Sequence, residues 1–278
     1  MVMVVLLWSP ILVPLLPTFL QQWASRSQTG IVSTAAIIGL YCAVVILISI
    51  WGKKIRNYED PLLQYGVNLQ PRSRARQLLS VLSGLLLGLS LVASVYALGV
   101  ALQLIQFSWA STLFLNNSQT LLRSILYGWR IFKLILKCFG ISLAVSFVEE
   151  LFFRSWLQKE ISADLGFHKA TLISGLAFSI THRSPPLMPG LWFLSCILTG
   201  AKVHCNGDLN LAIGIHAGLM AGTQLINMYG QVKYGPNALL WFIDHRSTDP
   251  FTGVIGLSIL GVLALLLYPW GYNEKESN

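Results

Sequence analysis

The stretch Ser146-Phe147-Val148-Glu149-Glu150-Leu151-Phe152-Phe153-Arg154 sets three charges inside an otherwise apolar run. If one helix carries that run from Lys137 to Lys159, it is about 33 Å long at 1.5 Å per residue, one hydrocarbon thickness. Glu149 then lies about 18 Å from the Lys137 end, near mid-depth. A charge at that depth costs at least about 2.5–3.5 kcal/mol, so two adjacent glutamates need a reason. Glu150 and Arg154 stand at i and i+4 and can pair on one face. Glu149 is turned about 100° away, where it can face a polar cavity and serve as a general base. The competing reading is that both glutamates pair with Arg154 or cap the helix at an interface.

The rest of the chain supports a lipid solvent for this helix. Of 278 residues, 54% are apolar and 11% charged, against roughly 25% charged in an ordinary soluble domain. Mean hydropathy is +0.64. These values exclude a soluble globular protein and a disordered one. About eight apolar segments follow, at 3–23, 31–52, 77–106, 131–159, 169–182, 189–203, 209–229 and 251–270. The expected fold is all-α, a polytopic membrane helix bundle. The segments at 169–182 and 189–203 are short for a full crossing and suit tilted helices or helices packed around a wet cavity. The first segment holds Pro10, Pro14 and Pro17 and has no cation before Arg26, so it reads as an uncleaved membrane segment and not as a signal peptide.

The net charge of +8 sits largely in loops. Residues 53–76 carry Lys53, Lys54, Arg56, Arg72, Arg74 and Arg76 against Glu59 and Asp60, which makes this loop cytoplasmic. Arg123, Arg130, Lys133 and Lys137 fall within about an 80° stripe, as on an amphipathic helix lying along an anionic membrane surface or on a plain solvated helix. No nucleic-acid-reading motif appears. Cys42, Cys138, Cys196 and Cys205 form no CxxC pair, and the first three, in apolar runs, read as buried inert thiols.

Five histidines sort by context. His168 at a helix start, His204 beside the turn Cys205-Asn206-Gly207-Asp208, and His245 in a polar loop need no special role. His182 ends an apolar run just before Pro185 and Pro186. His216 lies about 12 Å into a helix for which Asp208 is a plausible N-cap. On that helix Gly214, Gly218 and Gly222 form a small-xxx-small row that permits close approach to a neighbour. Two histidines and a carboxylate pair on separate membrane helices read as a convergent site.

These residues resemble the motifs of the CPBP intramembrane proteases, a group that includes Rce1-type CAAX prenyl endopeptidases and bacterial Abi-type membrane proteins. Glu149, Glu150 and Arg154 match Glu-Glu-x-x-x-Arg, Phe178 and His182 match Phe-x-x-x-His, and His216 matches the histidine of His-x-x-x-Asn/Asp. The order and the spacing fit as well, over roughly 135–230. Met220 stands where the third motif has Asn or Asp, a polar residue that in the family helps hold the oxyanion or the water. A thioether donates no hydrogen bond. Thr223 and Asn227 are the nearest polar substitutes on that helix.

The resemblance implies an intramembrane endopeptidase. Glu149 with His182 would activate a water, His216 would stabilise the oxyanion or the water, and Glu150 and Arg154 would support the site. Phe178 would line the pocket or simply pack. The family has been read both as metal-free glutamate proteases and as metalloproteases. A metal-free glutamate mechanism is the first expectation, and a zinc held by Glu149, His182 and His216 is the alternative. Expected partners are the lipid bilayer and a membrane-associated peptide or protein substrate, with no nucleic acid. Residues 1–120 would form N-terminal membrane helices with the basic loop, 121–270 the protease core and 271–278 a polar tail. A bacterial inner membrane is the expected host, with a thylakoid or organelle membrane as alternative. The non-enzymatic reading is a membrane scaffold or immunity-type protein that keeps the fold, and a proton-relay transporter would require repeat symmetry that the sequence lacks.

Overall fold

The structure is a computed structural model that describes residues 30–68, 74–109, 121–243 and 249–272. It is helical nearly throughout. In order, the elements are α1 (Gly30–Lys54), α2 (Pro61–Gln64), α3 (Arg74–Ala101), β1 (Ile105–Trp109), α4 (Leu121–Glu149), a π-helix (Glu150–Leu157), α5 (Gln158–Leu165), α6 (Phe167–Thr181), α7 (Met188–His204), α8 (Asn210–Tyr229), β2 (Gly230–Tyr234), α9 (Ala238–Trp241) and α10 (Val254–Leu267). Seven of the eight expected apolar segments coincide with helices among the described residues, and the first, 3–23, lies outside them. Among the described residues four helices are long and apolar enough to cross a membrane: Arg74–Ala101, Ile125–Leu165, Pro185–His204 and Asn210–Tyr229, with Val254–Leu267 shorter. The protein is thus an all-α, integral multi-pass membrane protein.

The expectation of one helix over 77–106 is corrected at its end. α3 stops at Ala101, Gln103 turns to φ 56°, and Ile105–Trp109 pairs antiparallel with Gly230–Tyr234. Five-residue strands of alternating character are too short to stand out beside a 28-residue apolar helix.

The chain divides into two compact units. Among the described residues, one contains 30–68, 74, 147–209 and 260–272, and the other 75–109, 121–146, 210–243 and 249–259. In the first, Phe153, Leu157, Ile161, Ala170 and Phe178 form a buried core, joined by Phe152, Trp156 and Leu191. The segment after α1 docks on the helix that follows Glu150. Arg56 makes two 2.9 Å hydrogen bonds to Glu160, and the Ser155 hydroxyl donates to the Tyr65 carbonyl. The Glu160 contact raises the pKa of Arg56, and burial, then the Glu160 charge, raises that of Tyr65. Asp60 caps α2 by accepting from Leu63 N at 3.1 Å, with Pro61 in the first turn.

In the second unit α3 and α8 touch backbone to backbone. A Cβ at Gly218 would strike the Leu85 carbonyl oxygen, and one at Gly214 the Val81 oxygen. The glycine row read from the sequence therefore has its close neighbour. α8 is 61% buried over its apolar window and α3 only 22%, so α8 is the inner helix of the pair and α3 carries a lipid-facing side. Leu78, Leu79, Leu82, Leu86 and Leu87 project from that side. Arg130, Lys133 and Lys137 are exposed on α4, where Lys133 lies 5.7 Å over the Trp129 ring.

The buried-thiol reading holds for Cys138 and Cys196 and fails for Cys42, which is exposed. In a membrane bundle an apolar run marks lipid contact as readily as core.

Candidate active site

Glu149 is the last α-helical residue of α4, and winding changes to π at Glu150. A π segment closes i→i+5 bonds and takes an extra residue into the turn, a feature concentrated at functional sites. Here it runs through Glu-Leu-Phe-Phe-Arg-Ser-Trp-Leu, so it carries both Glu150 and Arg154. Both side chains are fully buried, and Arg154 Nε lies 3.2 Å from Glu150 Oε2. The i,i+4 pairing expected on an α wheel is therefore made on a wider helix. Glu149 is half-buried. The Lys202 ammonium donates a 2.7 Å hydrogen bond to the Arg154 carbonyl and so ties α7 to the π segment.

Arg154 reaches the second motif directly. Its guanidinium carbon sits 3.9 Å over the Phe178 ring. Phe178 is fully buried, and it meets Phe153 edge-on at 5.3 Å. It is thus packed in the core and serves as the platform for Arg154. One turn on, His182 forms the C-cap of α6, where Pro185 and Pro186 forbid a longer helix. His182 Nδ1 is 3.0 Å from the Phe178 carbonyl oxygen. A carbonyl can only accept, so Nδ1 carries the hydrogen and the neutral ring keeps its lone pair on Nε2. His182 is exposed.

The spacing Phe-x-x-x-His thus has a local physical cause, since it is the spacing that lets a terminal imidazole cap its own last turn. Glu150, Arg154, Phe178 and His182 form one continuous set of contacts in the first unit. His216 belongs to the second unit, where it is buried in the middle of α8, one turn before Met220. Met220 Sδ accepts from the Ser146 hydroxyl at 3.7 Å. Thr223 and Asn227, the sequence's substitutes for the missing polar residue, lie further along α8, Asn227 exposed.

His168 is exposed and bonds the Tyr268 hydroxyl at 2.9 Å, and His204 is exposed at the end of α7. His245 lies outside the described residues. Lys202 was not singled out in the sequence, although a lone cation inside the run 189–203 was the signal for it. Ser146 had no such signal, because a serine in a membrane helix is ordinary. Among the described residues no three His, Cys, Asp or Glu side chains are grouped as a metal's ligands would be.

Long apolar helices with a buried acid–arginine–aromatic cluster and a capped, accessible histidine define a membrane-embedded protein with a polar site. Residues 131–221 match the family model described as type II CAAX prenyl endopeptidase, Rce1-like. That match covers about a third of the chain, and it contains Glu149, Glu150, Arg154, Phe178, His182 and His216. No curated protein and no solved structure matches the chain. At family level the protein is protease-like.

Proposed function

We propose that the protein is an intramembrane endopeptidase that hydrolyses a peptide bond with a water activated by Glu149 and His182. The observation that carries this reading is the His182 cap. A ring whose Nδ1–H is committed to the Phe178 carbonyl offers Nε2 as a fixed acceptor, which is what orienting a water requires.

In the proposed step the Glu149 carboxylate takes a proton from water while His182 Nε2 accepts a hydrogen bond from the hydrogen that remains on the oxygen. The oxygen attacks the scissile carbonyl carbon, and the carbonyl π electrons move onto its oxygen. His216 stabilises that oxyanion. Glu149 then passes its proton to the amide nitrogen. The oxyanion electrons re-form the carbonyl as the C–N bond breaks, giving a carboxylic acid and an amine, and the acid's proton then passes to the amine to leave a carboxylate and an ammonium. Glu150 and Arg154 support the site by fixing the π segment against Phe178. The protease core is the stretch 121–270, and the substrate is a membrane-associated peptide or protein. A bacterial inner membrane is the proposed host.

The experiment compares membrane-protein termini by mass spectrometry in cells making equal amounts of the wild type or Glu149→Gln. Termini present only with the wild type are the expected result and would name the bond cut. An unchanged set of termini, with both proteins folded and abundant, would overturn the protease reading. It would favour the second one, a scaffold that keeps the fold, for which Met220 in the third motif is the supporting observation.

A further inference from the structure

Hydroxyls in these helices usually bond back to their own backbone. Ser49 donates to Val45 O at 2.8 Å, Thr171 to Phe167 O at 3.0 Å, and Ser179 to Gly175 O at 2.9 Å. This is the default for serine and threonine where water is absent. Ser146 departs from it. It is fully buried, yet its hydroxyl leaves its own helix and points across at α8, to Met220 Sδ 3.7 Å away. Two turns earlier on the same face, Cys138 Sγ reaches Gln224 Oε1 at 3.2 Å. α4 therefore sets a row of polar side chains against the helix that carries His216. Met220 is one turn past His216, and helical side chains lean toward the N-terminus, so its thioether lies over the His216 turn.

We infer that Ser146 supplies a hydrogen bond to the oxyanion beside His216, in the place of the side chain that Met220 cannot provide. This inference rests on the protease reading. Its physical basis is a difference between states. Thioether sulfur is a weak acceptor, so the Ser146 hydrogen gives up little in the ground state. An O–H donated to a charged oxygen is roughly twice as strong as a neutral bond. An interaction weak before reaction and strong at the transition state is one that raises kcat.

The test uses the full chain in proteoliposomes and a synthetic peptide spanning the bond found by the termini comparison. Ser146→Thr keeps the hydroxyl, and Ser146→Val replaces it with a methyl of the same shape, so the two fold alike. Thr is expected to keep kcat. Val is expected to lose about a hundredfold in kcat with little change in KM, the usual effect of removing one oxyanion donor. Adding Met220→Asn to Ser146→Val should return at least tenfold, since the Asn amide donates from the same seam. Equal kcat for Thr and Val would overturn this inference and leave the protease standing. If the wild type shows no Glu149-dependent cleavage, the protease reading falls and this inference falls with it.

Discussion

The Arg154 guanidinium lies 3.9 Å over the face of Phe178, so the first and second motifs meet through a cation on an aromatic ring. The stack is fully buried, and Glu150 on the same helix supplies the counter-charge at 3.2 Å. Removing one member of a buried pair leaves the other uncompensated, at a cost of about 3–5 kcal/mol. Arg154→Met is therefore expected to lower the melting temperature in detergent sharply, and Glu150→Gln likewise. The double variant should lose less than the sum, because no lone charge remains. Additive losses would show that the two side chains do not depend on each other. Arg154→Lys should not rescue fully, since an ammonium lacks the planar face that stacks on Phe178.

How far the sequence reaches can be judged from particular elements. Long apolar runs specify α1, α3, α4 and α8 because only a helix satisfies the backbone in lipid. The Glu150–Arg154 pair follows from i,i+4 spacing, and the stop after His182 from Pro185 and Pro186. The π winding at Glu150 does not follow, since the apolar periodicity of the run reads the same for an α and a π turn over so few residues. The β1–β2 ladder joins Ile105 to Tyr234, and no local rule links segments so far apart. Ser146 and Lys202 acquire meaning only through Met220 and the Arg154 carbonyl, contacts made across the fold.

The α3–α8 contact gives a prediction with an internal control. At Gly218 an added Cβ would meet the Leu85 backbone, which cannot move aside as a side chain can. Gly218→Ala is expected to destabilise by about 1–3 kcal/mol, the usual cost of overpacking. At Gly140, on α4, nothing lies within 4 Å of an added Cβ. Gly140→Ala should be neutral or slightly stabilising, because alanine favours the helix by up to about 1 kcal/mol. Thermal unfolding of both variants in the same detergent checks this, and a tolerated Gly218→Ala would contradict the close approach.

The Arg56–Glu160 contact ties the segment after α1 to α5. It is bidentate, but Arg56 is 33% exposed, which screens the attraction. Arg56→Ala is expected to cost about 1 kcal/mol or less in global stability. Its larger effect should be local. The loop 55–60 should become accessible to protease in the variant while the wild type resists, and limited proteolysis in detergent reads this directly. Equal resistance of both proteins would mean that the remaining contacts, Ser155 to the Tyr65 carbonyl and Lys159 to the Gln64 carbonyl, hold the segment without Arg56.

Metal dependence separates the two chemical versions of the proposed reaction. With water activated by Glu149 and His182 alone, cleavage of the identified peptide should persist after treatment with EDTA or 1,10-phenanthroline and dialysis. Zinc bound by Glu149, His182 and His216 would behave differently. Three protein ligands and an open position would make activity fall with chelation and return with added zinc. The His182 cap leaves Nε2 free for either role, accepting from water or ligating a metal, so chelation is the readout that separates them. Substitution adds a second readout. Glu149→Gln should abolish turnover in the metal-free case without changing the metal content measured by elemental analysis of the purified protein. Loss of a bound zinc along with activity would make Glu149 a ligand and replace the mechanism proposed here.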